Sequence, residues 1–329
     1  MAGRGSRLRP HTLTIPKPLQ PVVGKPIVQR IVEDFDASFP GQIDEVAFII
    51  GDFGPEAEGQ LKSIAEGIGA KGSIYTQDSP EGPAHAIYCA KDSLSGPCIV
   101  AFADTLFKAE FTFSTEDEGV IWVQKVEDPS SFGVVKTDDQ GIIREFVEKS
   151  PEFVSDLAIV GLYYFKDGDQ LREEIGHLID NNLRDKGEFQ ITSVLENMKE
   201  KGTKFRASTI EEWLDCGNKN NVLDTTRRIL ELKQVQEELI AKDVVQDNAV
   251  IIPPCYVGKG VTLRNTVIGP YATIGSNATV ENSVIRESVI QGDTTVKDVV
   301  LERSMIGQHA EITGTPHEWS VGDYTQIGS

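Results

Sequence analysis

Hydrophobic and polar positions alternate in two ways along the first 217 residues. Apolar residues at helical spacing predict helices over 26–35, about 55–67 and about 82–95. Short continuous apolar runs between them predict buried strands at 45–50, 72–76 and 98–103. This order predicts an α/β domain in which helices cover a mainly parallel sheet. Ligands of such a domain bind at the carboxyl ends of the strands.

The pattern changes in the last third of the chain. Apolar residues at helical spacing over 218–242 predict an amphipathic helix. After it an aliphatic residue recurs every five or six positions: Ile251, Val257, Leu263, Ile268, Ile274, Val280, Ile285, Ile290, Val296, Leu301, Ile306 and Ile312. This period resembles the hexapeptide repeat of left-handed parallel β-helices, and twelve inward positions give about four coils. We therefore predict an α/β domain over 1–217, a linking helix over 218–245 and a left-handed β-helix over 246–329.

The charge of the chain excludes some classes of partner. Its 51 acidic and 32 basic residues give a net charge of −19, which repels nucleic acid and anionic lipid. No apolar run approaches the roughly 18–20 residues of a membrane span, and no signal-peptide pattern is present. We therefore expect a cytoplasmic protein that binds neither nucleic acid nor membranes.

The cysteines give no sign of a metal or redox site. Cys89, Cys98, Cys216 and Cys255 show neither C-x-x-C nor Cys/His ligand spacing. Reduced, mostly buried thiols are expected.

Candidate chemistry begins at the amino terminus. Gly3, Gly5 and Ser6 allow a sharp turn whose N–H groups converge on one point, which suits a phosphate chain. Arg7 and Lys17 add the positive charge that phosphoryl transfer needs. Because the Walker spacing is absent, the glycines alone fit a flexible arm equally well.

Longer motifs favour the phosphate-binding interpretation. The sequence contains Ala2-Gly3-x-Gly5-Ser6-Arg7-Leu8-x-Pro10-x-Thr12, then Pro16-Lys17-Pro18-Leu19 and Gly24-Lys25-Pro26-Ile27. Together these segments resemble the signature of the sugar-1-phosphate nucleotidylyltransferases, or NDP-sugar pyrophosphorylases. The resemblance implies a Rossmann-like nucleotidyltransferase domain. Family members carry a short apolar strand before the glycine loop, so we expect roughly five to eight further apolar residues to be encoded upstream.

The same resemblance assigns roles around the nucleotide. It implies that Ala2, Gly3, Gly5, Ser6 and Arg7 bind the nucleotide, and that Arg7 and Lys17 are catalytic.

The base would be read after the strand that ends near residue 76. A glutamine amide carries a donor and an acceptor, so Gln77 can pair with the edge of a pyrimidine. The resemblance implies that Gln77 reads the base and that Gly82 lets the backbone approach it. His85 is predicted to be a helix-packing or capping residue.

Two aspartates are candidates for a metal site. Asp104 follows the strand at 98–103, and Asp215 lies in Trp213-Leu214-Asp215-Cys216-Gly217. Mg²⁺ takes one or two protein carboxylates and completes its octahedron with phosphate oxygens and water. Either aspartate alone could be a cap or turn residue. The resemblance implies that both hold Mg²⁺ and that Asp104 is catalytic.

The sugar-phosphate half of the site is predicted from residues 128–135 and 143–149. Here the resemblance implies that Gly133 and Glu148 bind sugar hydroxyls and that Lys149 grips the phosphate. Tyr163 lies on a strand that flanks the sugar pocket. An exposed strand with alternating charge is the alternative.

The predicted reaction converts an NTP and a sugar 1-phosphate into an NDP-sugar and pyrophosphate. The sugar phosphate attacks in line without a protein nucleophile, so catalysis consists of positioning and charge compensation. The resemblance favours dTTP and glucose 1-phosphate. Uridylyl transfer, guanylyl transfer and a non-catalytic regulatory subunit are the alternatives.

The β-helix has two possible roles, acyl transfer or oligomerisation and regulation. His309 is its candidate general base. A single histidine is poor evidence for catalysis, so a structural module and a homo-oligomer are favoured.

Overall fold

The chain folds into two compact units. A computed structural model describes Gly3, residues 5–109, Ser114 and residues 116–315. The N-terminal unit consists of Met1–Gln20 and Lys25–Asn218, and the C-terminal unit of Pro21–Gly24 and Lys219–Ser329. The division at residue 218 follows the predicted end of the α/β domain by one position.

The N-terminal unit contains helices both inside and outside the ranges that the apolar spacing predicts. They are α1 (Ile27–Ser38), α2 (Gly54–Gly67), α3 (Pro83–Cys89), α4 (Gly168–Asp180) and α5 (Ile191–Glu200). The predicted helices over 26–35 and 55–67 are confirmed as α1 and α2, whereas the one over 82–95 divides into α3 and a 3₁₀ turn. No helix in the described part of the chain combines the length and apolar character that crossing a membrane requires.

Among the described residues, twelve strands precede the last third of the chain. They are β1 (Pro21–Val22), β2 (Lys25–Pro26), β3 (Glu45–Ile50), β4 (Lys71–Thr76), β5 (Cys98–Ala101), β6 (Thr105–Lys108), β7 (Gly119–Lys125), β8 (Gly133–Thr137), β9 (Ile143–Glu148), β10 (Leu157–Phe165), β11 (Phe205–Thr209) and β12 (Glu212–Asp215). All except β1 belong to the N-terminal unit.

Two strands of the main sheet, β9 and β10, run against the others, because β8 is antiparallel to both. Its order is β11-β7-β10-β8-β9, with β5 also paired to β10. Strand β10 is antiparallel to β5 and β7, and β11 is parallel to β7, so β5, β7 and β11 share one direction. Strands β3 and β4 form a parallel ladder, and β6 and β12 an antiparallel one. The predicted alternation of helices and strands is confirmed, with two antiparallel strands that the apolar runs did not indicate.

The core of this unit lies under α3, α4 and α5. Their apolar faces pack on buried residues of β7, β9 and β10, among them Ile121, Phe146 and Phe165. Phe165 and Phe146 each meet the ring of Phe205 edge-on, at centroid distances of 6.2 and 5.6 Å. This packing makes a rigid support for the strand ends.

A parallel β-solenoid forms most of the C-terminal unit. It follows α6 (Lys219–Lys233) and contains β13 (Val245–Ile251), β14 (Tyr256–Val257), β15 (Thr262–Ile268), β16 (Thr273–Ile274), β17 (Thr279–Glu281), β18 (Val284–Arg286), β19 (Val289–Ile290), β20 (Thr295–Lys297), β21 (Val300–Glu302), β22 (Met305–Ile306) and β23 (Glu311–Thr313). Strands β14, β16, β19 and β22 stack in that order on one side, so the described residues form four coils. The predicted inward residues from Val257 to Val296 are buried, and those of the end coils are partly buried.

Asparagine ladders stabilise the corners of the coils. Asn265 adopts a left-handed φ of 47°, a conformation that asparagine tolerates well. The amide of Asn248 donates to Asn265 over 2.8 Å, and that of Asn265 donates to Asn282 over 3.2 Å. Such side-chain bonds hold one coil in register with the next.

The helix predicted over 218–242 is shorter than expected. Helix α6 ends at Lys233, and Val235 beyond it is 91% exposed. Leu239 and Ile240 enter the solenoid instead, where the Val257 amide donates to the Leu239 carbonyl over 2.8 Å and Ile240 bridges to Val257. Aliphatic residues that enter a coil can match helical spacing over a short window, which explains the error.

Candidate active site

The glycine loop turns directly onto Lys17. Gly5 has a φ of 57° and leads into a 3₁₀ turn at Ser6–Leu8. The side chain of Leu8 is buried, with only 1% of the residue exposed, and anchors this turn. The Thr12 hydroxyl donates to the Gly5 carbonyl over 2.7 Å. A side chain at Gly5 would come within 3.1 Å of the Lys17 Cβ atom, so the glycine permits this close approach.

The buried side chain of Gln20 stabilises the segment that follows the glycine loop. Its side chain is 1% exposed, and its amide nitrogen donates to the carbonyls of His11 (2.7 Å) and Ile15 (2.9 Å). Both bonds reach backbone atoms, which fixes the segment that leads to Lys17. No motif in the sequence marks Gln20.

Lys17 and the two aspartates come together. The Lys17 ammonium lies 3.4 Å from an Asp104 carboxylate oxygen, and its side chain is only 10% exposed. Asp215 lies opposite Thr105 on the β12–β6 ladder, and the Cys216 amide donates to the Asp104 carbonyl over 3.2 Å. The candidate metal ligands therefore come from neighbouring chain segments.

The surroundings of these carboxylates suit a divalent cation. A Cβ atom at Gly217 would lie 2.9 and 3.0 Å from the two Asp215 carboxylate oxygens, so the glycine lets this carboxylate pack against the backbone of residue 217. The Asp104 side chain is 56% exposed and reaches solvent. Within the described residues, no group of three or more His, Cys, Asp or Glu side chains could hold a metal by itself. Two carboxylates with an open side match a cation that also binds phosphate oxygens.

The predicted base-reading residues form a second cluster. Gln77 directly follows β4, and its backbone N–H group donates to the Ile50 carbonyl over 2.8 Å. Gly82 has a φ of 112°, and a Cβ atom there would lie 2.7 Å from the Phe189 carbonyl oxygen. The Gln77 side-chain nitrogen lies 3.1 Å from the Gly82 carbonyl oxygen and 3.1 Å from Nδ1 of His85. Thus His85, predicted only to pack or cap its helix, contacts the candidate base reader.

The sugar end of the site is built on the β8–β9 pair. Gly133 lies opposite Glu148, whose side chain is 9% exposed. The Thr192 hydroxyl donates to one Glu148 oxygen over 3.0 Å, and the Lys149 ammonium lies 3.2 Å from the other. A Cβ atom at Gly133 would come within 3.1 Å of the Glu148 carboxylate, so glycine at position 133 leaves room for the carboxylate to lie there.

Lys186 holds the same turn from the outside. Lys149 has a φ of 42°, a left-handed conformation that a lysine adopts only when its surroundings impose it. Its amide donates to the Phe132 carbonyl over 3.0 Å. The Lys186 ammonium donates to the carbonyls of Glu148 (2.7 Å) and Lys149 (2.5 Å). No motif marked Lys186 in the sequence.

Tyr163 lies between the sugar and metal ends. It follows a bulge of β10 at Gly161, whose φ of 82° lets the Phe102 ring pack against the backbone. Burial raises the pKa of the Tyr163 phenol, and the charges of Glu148 and Asp104 raise it further. The phenol therefore stays protonated. Because Tyr163 is 2% exposed, it acts first as a core residue, and its sugar contact stays a prediction.

Some predicted nucleotide residues are not joined to these clusters. Ala2 lies outside the described residues. Gly3, Ser6 and Arg7 are exposed, and none of the ion pairs among the described residues joins Arg7 to Asp104. Their roles stay predictions.

A surface groove lies elsewhere in the unit. It has a volume of about 600 Å³ and is lined by residues of α3 and α4 that include Tyr88, Lys91, Arg172 and His177. None of the predicted site residues lines it. The chemistry of the strand ends, and not this groove, identifies the candidate site.

Comparisons with known proteins identify the family of this chain. A family model described as nucleotidyl transferase matches residues 1–231. The low-salt glycan biosynthesis nucleotidyltransferase Agl11 of Haloferax volcanii is 31% identical over 76% of this chain and 69% of its own length. A glucose-1-phosphate thymidylyltransferase of Streptomyces griseus is 28% identical over 95% of this chain and 92% of its own.

The fold also matches a solved structure. A UDP-glucose pyrophosphorylase structure without ligand superposes with a TM-score of 0.57 and 23% identity, over 70% of this chain and 96% of its own.

Proposed function

The chain belongs to the nucleotidyl transferase family, and we propose that it transfers a thymidylyl group from dTTP to glucose 1-phosphate. It is a nucleotidyltransferase whose substrates are a nucleotide and a sugar 1-phosphate. The observation that carries the proposal is the cluster of Lys17, Asp104 and Asp215 beside the Glu148–Lys149 turn. The Phe132 ring packs against Trp213, two residues before Asp215, with the ring centroids 5.1 Å apart, and the Lys149 amide donates to the Phe132 carbonyl over 3.0 Å.

The reaction breaks the phosphoanhydride bond between the α- and β-phosphates of the NTP and forms a new phosphoanhydride bond between the α-phosphorus and the sugar phosphate. An oxygen of the sugar phosphate attacks the α-phosphorus of the NTP in line, and pyrophosphate leaves with the bonding electron pair. No protein nucleophile takes part, so the residues act by orientation and electrostatic stabilisation. Lys17, held by Asp104 at 3.4 Å, supplies positive charge at the phosphate end.

Asp104 and Asp215 would hold a divalent cation, for which Mg²⁺ is our proposal. When bound, the cation neutralises charge on phosphate oxygens. The Asp104 side chain is 56% exposed and reaches solvent, which suits this role.

Glu148 and Lys149 would bind the sugar phosphate. The Thr192 hydroxyl fixes one Glu148 oxygen, so the carboxylate is oriented before a sugar hydroxyl arrives. The ammonium group of Lys149 is half-exposed, which leaves it available to a phosphate. Gly133 leaves room for the Glu148 carboxylate in this position.

The preference for dTTP and glucose 1-phosphate rests on the thymidylyltransferase relative, which matches nearly the whole chain. Uridylyl and guanylyl transfer are the alternatives. Uracil lacks only the 5-methyl group of thymine, a difference of about 1–3 kcal/mol in an apolar pocket.

Pyrophosphate release tests the reaction. The purified protein is incubated with Mg²⁺, one of dTTP, UTP, GTP, ATP or CTP, and glucose 1-phosphate or mannose 1-phosphate. We expect the highest turnover with dTTP and glucose 1-phosphate. Absence of turnover in every pair, with folding confirmed, would favour a regulatory subunit.

Substitution of the metal ligands tests the site. Asp104→Asn and Asp215→Asn should each lower kcat by about 10²–10³-fold while the circular dichroism spectrum is unchanged. Asp139→Asn changes an exposed aspartate outside the site and is the matched control. If both ligand variants retained turnover, the metal assignment would be wrong.

A further inference from the structure

We propose that His85 and the Gly82 carbonyl group fix the orientation of the Gln77 amide, so that the site selects nucleobases with a ring N–H over those with a ring-nitrogen acceptor. Uracil, thymine and guanine belong to the first class, and cytosine and adenine to the second. This inference rests on the proposed function, because it assumes that Gln77 faces the base.

The amide orientation follows from the chemistry of its neighbours. The Gln77 nitrogen lies 3.1 Å from the Gly82 carbonyl oxygen. A carbonyl oxygen can only accept a hydrogen bond, so the amide must turn its nitrogen and not its oxygen towards Gly82. The reversed amide would bring two oxygen atoms together. The Gly82 carbonyl group therefore determines that the Gln77 amide turns its nitrogen towards Gly82 and its oxygen away from it.

His85 takes the second hydrogen of the same nitrogen. Its Nδ1 atom lies 3.1 Å from the Gln77 nitrogen. Because an NH₂ group only donates, Nδ1 must carry the lone pair and Nε2 the hydrogen of the neutral ring. Both amide hydrogens of Gln77 are then bound within the protein.

The two ends of this network are rigid. The Gln77 backbone is fixed to β3 by the 2.8 Å bond to the Ile50 carbonyl. The Gly82 backbone lies against Phe189, where a Cβ atom would be 2.7 Å from the carbonyl oxygen, and the Ala84 amide donates to that same oxygen over 3.0 Å. Neither the Gly82 carbonyl nor Gln77 can turn without breaking these contacts.

Only the amide oxygen of Gln77 is left for a ligand. No hydrogen bond within the described residues uses this oxygen, and the side chain is partly exposed. The site thus presents an acceptor. A ring N–H of uracil, thymine or guanine can donate to it, whereas the ring nitrogens of cytosine and adenine would oppose lone pair to lone pair. His85 is a positioning residue, since it acts through Gln77.

The test compares UTP with CTP, which differ in this donor and acceptor pattern and have the same ring size. We expect a kcat/KM preference for UTP of about 100-fold or more in the wild-type protein. His85→Leu removes one acceptor, and the preference should fall about tenfold because only the bond to Gly82 then opposes reversal of the amide, which would turn its nitrogen towards cytosine. His85→Gln supplies an amide oxygen in place of Nδ1 and should restore it.

Controls separate positioning from packing. His177→Leu changes an exposed histidine on α4 and should leave the preference unchanged. A packing role of His85 would lower the melting temperature and the kcat for every NTP alike, without changing the UTP to CTP ratio. That result would overturn the proposal.

Binding measurements keep this inference separate from the reaction. Titration calorimetry of UTP and CTP with Mg²⁺, without sugar phosphate, measures the preference in the absence of turnover. Tighter UTP binding that His85→Leu reduces would support the inference even if no sugar 1-phosphate were a substrate. Equal affinity for UTP and CTP in the wild-type protein, or binding of neither, would overturn it while pyrophosphate release could still establish the transferase reaction.

Discussion

Replacement of Gly82 by alanine tests the contact on which the base end of the site depends. Gly82 has a φ of 112°, outside the regions that L-residues favour. A Cβ atom there would lie 2.7 Å from the carbonyl oxygen and 2.8 Å from the nitrogen of Phe189, and 2.9 Å from the Glu188 Cβ atom. Two of these three atoms are backbone atoms, which cannot move aside as a flexible side chain can.

The magnitude follows from two contributions. The left-handed backbone conformation of a non-glycine residue costs about 1–3 kcal/mol. Separating Gly82 from Phe189 would also break the bonds from the Phe189 amide to Glu81 (2.8 Å) and from the Ala84 amide to Phe189 (3.0 Å). Each is worth about 1 kcal/mol. Gly82→Ala should therefore lower the free energy of unfolding by about 3–5 kcal/mol.

Urea denaturation, followed by the fluorescence of the fully buried Trp122, measures this loss in the N-terminal unit. Gly69→Ala is the matched control, because Gly69 has a φ of 80° but no atom within 4 Å of its Cβ position. Its loss should be only the backbone strain of about 1–2 kcal/mol. Equal losses in the two variants would refute the contact argument. A larger loss for Gly82→Ala should be accompanied by a higher KM for the NTP.

Three further predictions concern other parts of the molecule. Thr192→Val removes the hydroxyl that donates to Glu148 over 3.0 Å, which should raise the KM for the sugar 1-phosphate about tenfold while Ser193→Ala does not; steady-state kinetics checks both. Burial raises the pKa of Cys98 to about 12, so its thiol stays protonated at pH 8 and iodoacetamide should not label it in the folded protein; rapid labelling seen by mass spectrometry would contradict this. Asn265→Ala loses two ladder bonds and gains left-handed strain, so it should lower the melting temperature more than Asn265→Gly, which only loses the bonds.

The solenoid could be predicted because its signal is local. Each inward residue, such as Ile268 or Ile285, is buried by the same position of the next coil, so a fixed spacing in sequence becomes a column in space. The end of α6 could not be predicted in the same way. Leu239 and Ile240 follow helical spacing by chance, and only the bond to Val257 shows that they enter a coil.

The site was predictable to the extent that its residues stand at strand ends. Lys17, Asp104 and Asp215 were found by motif and position, and the structure brings them together. Lys186 and Gln20 had no such signal, because they act on backbone carbonyls that any sequence would provide. A sequence pattern identifies the side chains that take part in the chemistry. It identifies less readily the side chains that hold those groups in place.

The charges of the site show why such positioning matters. The chain carries a net charge of −19 and its substrates are anions, so the long-range field does not attract them. The two site lysines are each paired with a carboxylate: Lys17 with Asp104 at 3.4 Å and Lys149 with Glu148 at 3.2 Å. A buried ammonium group such as that of Lys17 is stabilised by such a partner, but the pair presents little net charge at a distance. We therefore expect recognition of the phosphates to depend on contacts of a few ångströms, and we propose that Lys17 and Lys149 are held in place for these contacts before the substrates bind.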